Sequence, residues 1–194
     1  MATTDIDIAS RALVIIGSAP ISSFADEGDE AVAANILYPM AVETLFGRYK
    51  WRFSTAMTQL SRLASAPDHK FDAAYQKPSD LVALHGVYVN DQPIDYDIYE
   101  DRIMCDATSS DAVYADYTFK PSESKWPAYF RTALIYELAA GLAMSVAGDP
   151  DMGKALSERA RNEYLMATHQ DSANQRNRKI STNRFINIRG SNRR

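Results

Sequence analysis

The sequence predicts an α+β fold: a helical bundle of about four helices from both chain ends, a small inserted antiparallel β-sheet, and an extended C-terminal arm. Three observations predict it. Apolar residues recur at steps of three and four across residues 4–63 and again across 126–175, as a helix of 3.6 residues per turn requires. Over 78–120 the period falls to two, the mark of a strand with one face on a core. Beyond Asp171 there is no acidic residue, while basic residues continue to the last position. The expected organisation is one body over residues 1–175 and an arm over 176–194.

The helical elements follow from stop and start signals. Thr4 followed by Asp7 reads as a capping box, with Ile6, Ala9, Leu13 and Ile16 at helical spacing and Gly17 as the stop. Residues 19–29 form a loop. A second helix spans about Glu30 to Arg48 on the stripe Ala34, Leu37, Ala41 and Leu45, with a kink or break expected at Pro39. Trp51 and Phe53 end it, and a short helix through Leu60 and Leu63 is expected to follow. Helix returns near Trp126-Pro127 and runs through Phe130, Leu134, Leu138, Gly141, Leu142 and Ser145 to a stop at Gly148. Asp149-Pro150 starts the last helix, which carries Leu156, Ala160, Tyr164 and Ala167 to about Gln175.

The middle is a sheet of three or four strands. Lys77-Pro78-Ser79-Asp80 is a turn, and Leu81 to Val89 is rich in strand formers. Ile94, Tyr96 and Ile98 alternate with Asp95 and Asp97, and Val113, Ala115, Tyr117 and Phe119 alternate likewise. Asn90-Asp91 and Glu100-Asp101 supply turns.

Composition bounds the function classes. The chain has 194 residues, 46% apolar and 24% charged, which suits one domain, or two small ones sharing a core, and is too apolar for wholesale disorder. A single cysteine, Cys105, excludes a disulfide framework and a Cys-based zinc finger. No signal-peptide pattern begins the chain, and residues 132–148 carry Glu137 in their middle, so neither secretion nor a membrane span is expected. The expectation is a soluble protein of a reducing compartment with no membrane partner.

Chemistry-bearing motifs are few. His69, His85 and His169 are far apart and form no HExxH pair, so a metal site is not expected. There is no phosphate-binding glycine loop and no nucleophile elbow. The acids Asp91, Asp95, Asp97, Glu100, Asp101, Asp106, Asp111 and Asp116 lack EF-hand spacing and read as the solvated face of a half-buried sheet. The 11 tyrosines stand among acids, which repel phosphate, so they read as strand and interface residues rather than base-stacking platforms. Neither an enzyme nor a cofactor is expected.

Charge is divided sharply. Residues 1–171 hold 25 acids against 14 basic residues, a balance of −11, whereas residues 172–194 carry +7. Such a basic run is open to three readings: a solvated tail, a nucleic-acid contact through phosphate neutralisation, or docking on an acidic protein surface. Its details favour docking. Arg184-Phe185-Ile186-Asn187-Ile188-Arg189 is a short strand-forming core between arginines, able to add to a sheet edge, with Arg176, Arg178 and Lys179 upstream.

Several stretches taken together resemble one family. They are Arg11-Ala12-Leu13 to Ile16-Gly17 with Pro20-Ile21, Trp51-Arg52-Phe53-Ser54 with Leu60, Tyr75 with Pro78-Ser79-Asp80-Leu81, and Phe130 to Leu138-Ala139-Ala140-Gly141-Leu142-Ala143. Their order and spacing, over most of residues 5–171, resemble the head-to-tail adaptor (connector) proteins of tailed bacteriophages, in particular the tail tubular protein A group. Arg52 stands where that family often carries asparagine. The resemblance implies a virion structural protein forming a homo-oligomeric ring, a dodecamer, between the portal protein and a tail or nozzle protein. Genomic DNA would pass through its channel without specific binding, and neither catalysis nor cofactor is implied. It assigns structural roles to Gly17, Trp51, Phe53, Tyr75, Pro78, Ser79 and Asp80. Within that picture residues 176–194 are expected to be the portal-docking arm. The runner-up class is a nucleic-acid-binding accessory factor acting through the same basic run.

Overall fold

A computed structural model describes residues 4–65, 67 and 70–174. Four helices and seven strands are arranged as an α+β fold. The expected arm, residues 176–194, lies outside the described residues.

Helix α1 (Asp5–Ile15) starts on the predicted capping box. The Asp7 N–H donates to Thr4 Oγ1 at 3.2 Å and the Thr4 N–H to Asp7 Oδ2 at 2.9 Å, and these bonds from Thr4 hold the Asp7 carboxyl below its usual range. It ends where Gly17, at φ +82°, turns the chain left-handed. There the Ser18 N–H reaches Leu13 O and the Gly17 N–H reaches Val14 O, satisfying two terminal carbonyls. Ile8, Ala9, Ala12 and Leu13 are buried; Ile6, expected on the core face, is only half-buried, and Ile8 takes the place.

Helix α2 (Asp29–Arg48) runs unbroken through Pro39. Pro39 is exposed, so its ring and the interrupted bond lie on the solvent side while Ala34, Tyr38, Ala41, Val42, Leu45 and Phe46 hold the other side in the core. Helix α3 (Ala128–Ser145) begins just after Pro127 and is the hub, packing against α1, α2 and α4 (Pro150–Ala173). Its buried residues go most of the way round, as a central helix requires. Helix α4 starts as predicted, with Asp149 Oδ1 accepting from the Met152 N–H at 2.9 Å and Pro150 in the first turn.

The inserted region departs from expectation in two ways. It holds two sheets rather than one: β1 (Thr55–Gln59), β7 (Val113–Phe119), β3 (Leu81–Val89) and β4 (Gln92–Ile94) in that order, and β2 (Ala73–Gln76), β6 (Arg102–Cys105) and β5 (Tyr96–Tyr99) in that order, all antiparallel. Two strands also precede residue 78. The helix expected through Leu60 and Leu63 is instead strand and extended chain. Thr55 pairs with Thr118 and Gln59 with Tyr114, the Leu60 N–H reaches Val113 O, and the Leu63 N–H reaches Ala74 O. Partners 55 to 63 residues away in β7 outweigh the local spacing of two leucines.

Two cores result. One lies among the helices around Trp51, Phe46 and Phe130. The other lies between the sheets, where Val87, Val113, Ala115 and Tyr117 meet Tyr75, Ile103 and Cys105.

Candidate functional site

The Trp51–Phe53 segment, where α2 gives way to the first sheet, is a densely packed aromatic junction. Trp51 is wholly buried, and its indole N–H donates to Leu45 O at 2.8 Å. Its ring meets Phe130 edge-on at 5.1 Å and Tyr164 at 6.1 Å, while Phe53 lies 5.1 Å from Phe130.

Asp171, near the end of α4, closes this junction. It is 0% exposed. Its Oδ2 accepts the Arg52 N–H at 3.0 Å and its Oδ1 accepts the Tyr129 hydroxyl at 2.7 Å. A carboxylate near a helix C-terminus opposes the helix dipole, so this placement is held by bonds to other elements rather than by helix propensity. Burial, and then the adjoining Asp171, push the Tyr129 hydroxyl pKa well up, which keeps it a donor. The Tyr164 hydroxyl adds a bond to Arg48 O at 3.3 Å. Asp171 thus ties α4 to α3 and to the segment after α2, three residues before the last described position, and Tyr164 ties α4 to the end of α2.

The residues singled out by the family pattern do not converge. Gly17 ends α1, Trp51 and Phe53 form the junction, and the others belong to the sheets. Tyr75 is 2% exposed, with the Arg62 guanidinium 6.0 Å from its ring centre. Pro78, Ser79 and Asp80 make the turn into β3, and Asp80 Oδ1 accepts the Tyr117 hydroxyl at 3.1 Å. They are structural positions at three separate places. Arg176, Arg178, Lys179 and the Arg184–Arg189 core lie outside the described residues.

The acids of the sheet region behave as a solvated face. Asp91, Asp95, Glu100, Asp101 and Asp106 are exposed. The half-buried ones have partners: Lys70 for Asp97, the Thr108 N–H at 2.8 Å for Asp111, and Lys50 for Asp116 at Oδ2, while Asp116 Oδ1 is buried without a hydrogen-bond partner among the described residues. Among the described residues no group of three or more His, Cys, Asp or Glu side chains could hold a metal ion. His85 Nε2 lies 2.7 Å from Thr118 Oγ1. Cys105 is buried, and burial pushes its thiol up to about 11, far from a reactive thiolate.

What the surface does offer is apolar. Val32, Ile36 and Met40 stand exposed on α2, Val14 and Ile15 on α1, and Met144 and Leu165 beside a groove between α3 and α4. The α2 residues were legible as an i, i+4, i+8 series opposite the predicted core stripe, a signal eclipsed by that stripe. Asp171 is visible in the sequence only as the last acid. No described helix is long and apolar enough to cross a membrane. No family model matches the chain, and no curated protein sequence matches it.

Proposed function

We propose that this chain is a structural virion protein, a ring-forming adaptor between the portal and the tail of a tailed bacteriophage that extends the DNA channel. The observation that carries the reading is the anchored charge boundary. Asp171, the last acid of the chain, is locked into the Trp51 junction, and all seven charged residues after it are basic. A basic segment rooted on a firm acidic body suits attachment to a second protein surface. The motif order shared with the adaptor family and the exposed apolar helix faces support the same reading. A body of −11 also suits a conduit, because a basic lumen would hold phosphates and retard passage.

Residues 176–194 are the portal-docking arm in this reading, with the Phe185–Ile188 core adding to a strand edge. Electron microscopy of the purified protein with and without its portal tests it. Rings seated on the portal are expected, and a chain ending at Gln175 should fold yet fail to join them. Undiminished joining by that shortened chain overturns the arm.

The +7 run also favours a second reading, a nucleic-acid-binding accessory factor. That protein would shift free DNA with a steep salt dependence lost on removing residues 176–194. An adaptor leaves free DNA unshifted.

A further inference from the structure

The outer face of α2 is not what a surface helix ordinarily carries. Asp29, Val32, Ile36, Met40 and Glu43 follow at steps of three, four, four and three, and all are exposed. Val32, Ile36 and Met40 are exposed by 57%, 58% and 59%, a continuous apolar ridge with an acid at each end. Charge normally occupies this face.

The α3–α4 groove is its counterpart. It holds about 600 Å³ and is lined by Gly141, Met144 and Leu165 together with Arg48 and Arg161. Met144 and Leu165 are exposed by 59% and 55%. Arg48 is held by Glu137 at 3.1 Å, whereas Arg161 makes no ion pair among the described residues.

We propose that the α2 ridge of one copy seats in the α3–α4 groove of a second copy. Val32, Ile36 and Met40 would cover Met144 and Leu165, and Glu43 would meet Arg161. Charge chooses this pairing over ridge on ridge. A two-fold contact between ridges sets Asp29 and Glu43 against acids of the partner whether the helices run parallel or antiparallel. Ridge and groove are different surfaces, so the contact is heterologous and can propagate from copy to copy. That it closes into a ring rests on the adaptor reading; the contact itself does not.

Cysteine cross-linking of the full chain tests it, with the buried Cys105 as a silent background. Ile36→Cys combined with Leu165→Cys should give, on mild oxidation, a reducible ladder of dimers and larger species. Either substitution alone should run as uncross-linked chain on a non-reducing denaturing gel. Glu43→Arg and Arg161→Glu should each weaken self-association about tenfold by sedimentation, and the two together should restore most of it. Unchanged helical circular dichroism keeps these surface variants interpretable. A cross-linked dimer from Ile36→Cys alone, no ladder from the pair, or a charge-swapped double variant worse than either single one overturns the proposal. So does a ladder that forms only when the chain ends at Asn174, which would assign the groove to the C-terminal segment. The two readings fail separately. Rings on the portal formed by an Ile36→Asp chain sink this contact and spare the adaptor. A double-cysteine chain that cross-links while the parent chain forms no ring on the portal spares the contact and sinks the adaptor.

Discussion

The helical half and the sheet half of this molecule are stabilised by different means. Among the helices, large side chains do the work: Trp51, Trp126, Phe46 and Phe130 are all at most 2% exposed, and each indole N–H finds a backbone carbonyl, Leu45 O or Pro121 O. Between the sheets the buried cluster is the smaller one and holds no Trp, with Tyr75, Tyr117 and Ile103 among Val87, Ala115 and Cys105, and strand ladders join it. The sheet side is also dressed with ion pairs, Lys50–Asp116, Lys70–Asp97 and Lys77–Asp101. Burial scales with area, whereas partly exposed ion pairs add little. The difference teaches where the large aromatic contacts reside: the helices that mount the exposed apolar faces carry them, and the sheets rely on their ladders.

The largest expected effect lies in the mount. Trp51→Ala should cost about 3–5 kcal/mol, because it removes the ring against which Phe130, Tyr49 and Tyr164 pack. Denaturant unfolding measures this. In the sheets, Ile103→Ala removes a wholly buried side chain and should cost about 2–4 kcal/mol. A cost above that of Trp51→Ala would reverse the comparison.

Asp171→Ala should follow at about 1–3 kcal/mol, since the Tyr129 hydroxyl and the Arg52 N–H then lose their acceptor. Hydrogen exchange would sharpen the picture, with new exchange expected at the end of α4 and at Arg52 and none in β3. Protection unchanged at Arg52 would remove the junction from the argument.

The smallest effect is a pH dependence in the sheet. Burial, and then the Lys50 ammonium, lower the His85 pKa, against an opposing pull from Asp116. The folded chain therefore binds this proton more weakly than the unfolded one. Its contribution is complete above the ordinary value of 6.5 and is lost as pH falls from there through the depressed value. The unfolding midpoint should dip slightly between about pH 7 and about pH 5, and His85→Gln should flatten the dip. An equal dip in His85→Gln assigns it elsewhere.

Much of the fold is legible in the sequence because its signals are local. Thr4 and Asp7, Gly17, Asn90-Asp91 at φ +50° and +61°, and Asp149-Pro150 each declare a helix end or turn through their own chemistry. What escaped was non-local. Thr55–Gln59 is a strand only because β7 lies beside it, and Leu60 and Leu63 mimic a helical step in chain that is extended. Ile98 alternates correctly yet is 46% exposed, because β5 is an edge strand. The functional surfaces follow the same rule. The charge boundary at residue 171 is written in the composition, but the burial of Asp171 against Tyr129, forty-two positions away, appears only once the helices are packed.

That burial has a mechanical corollary. A pull applied to the chain beyond Asn174 enters through the final turn of α4, where the carboxylate at 171 is already bonded to the backbone after α2 and to a side chain of α3. Tension is thus shared at once with α3 and with the chain after α2 instead of falling on the last turn of α4 alone.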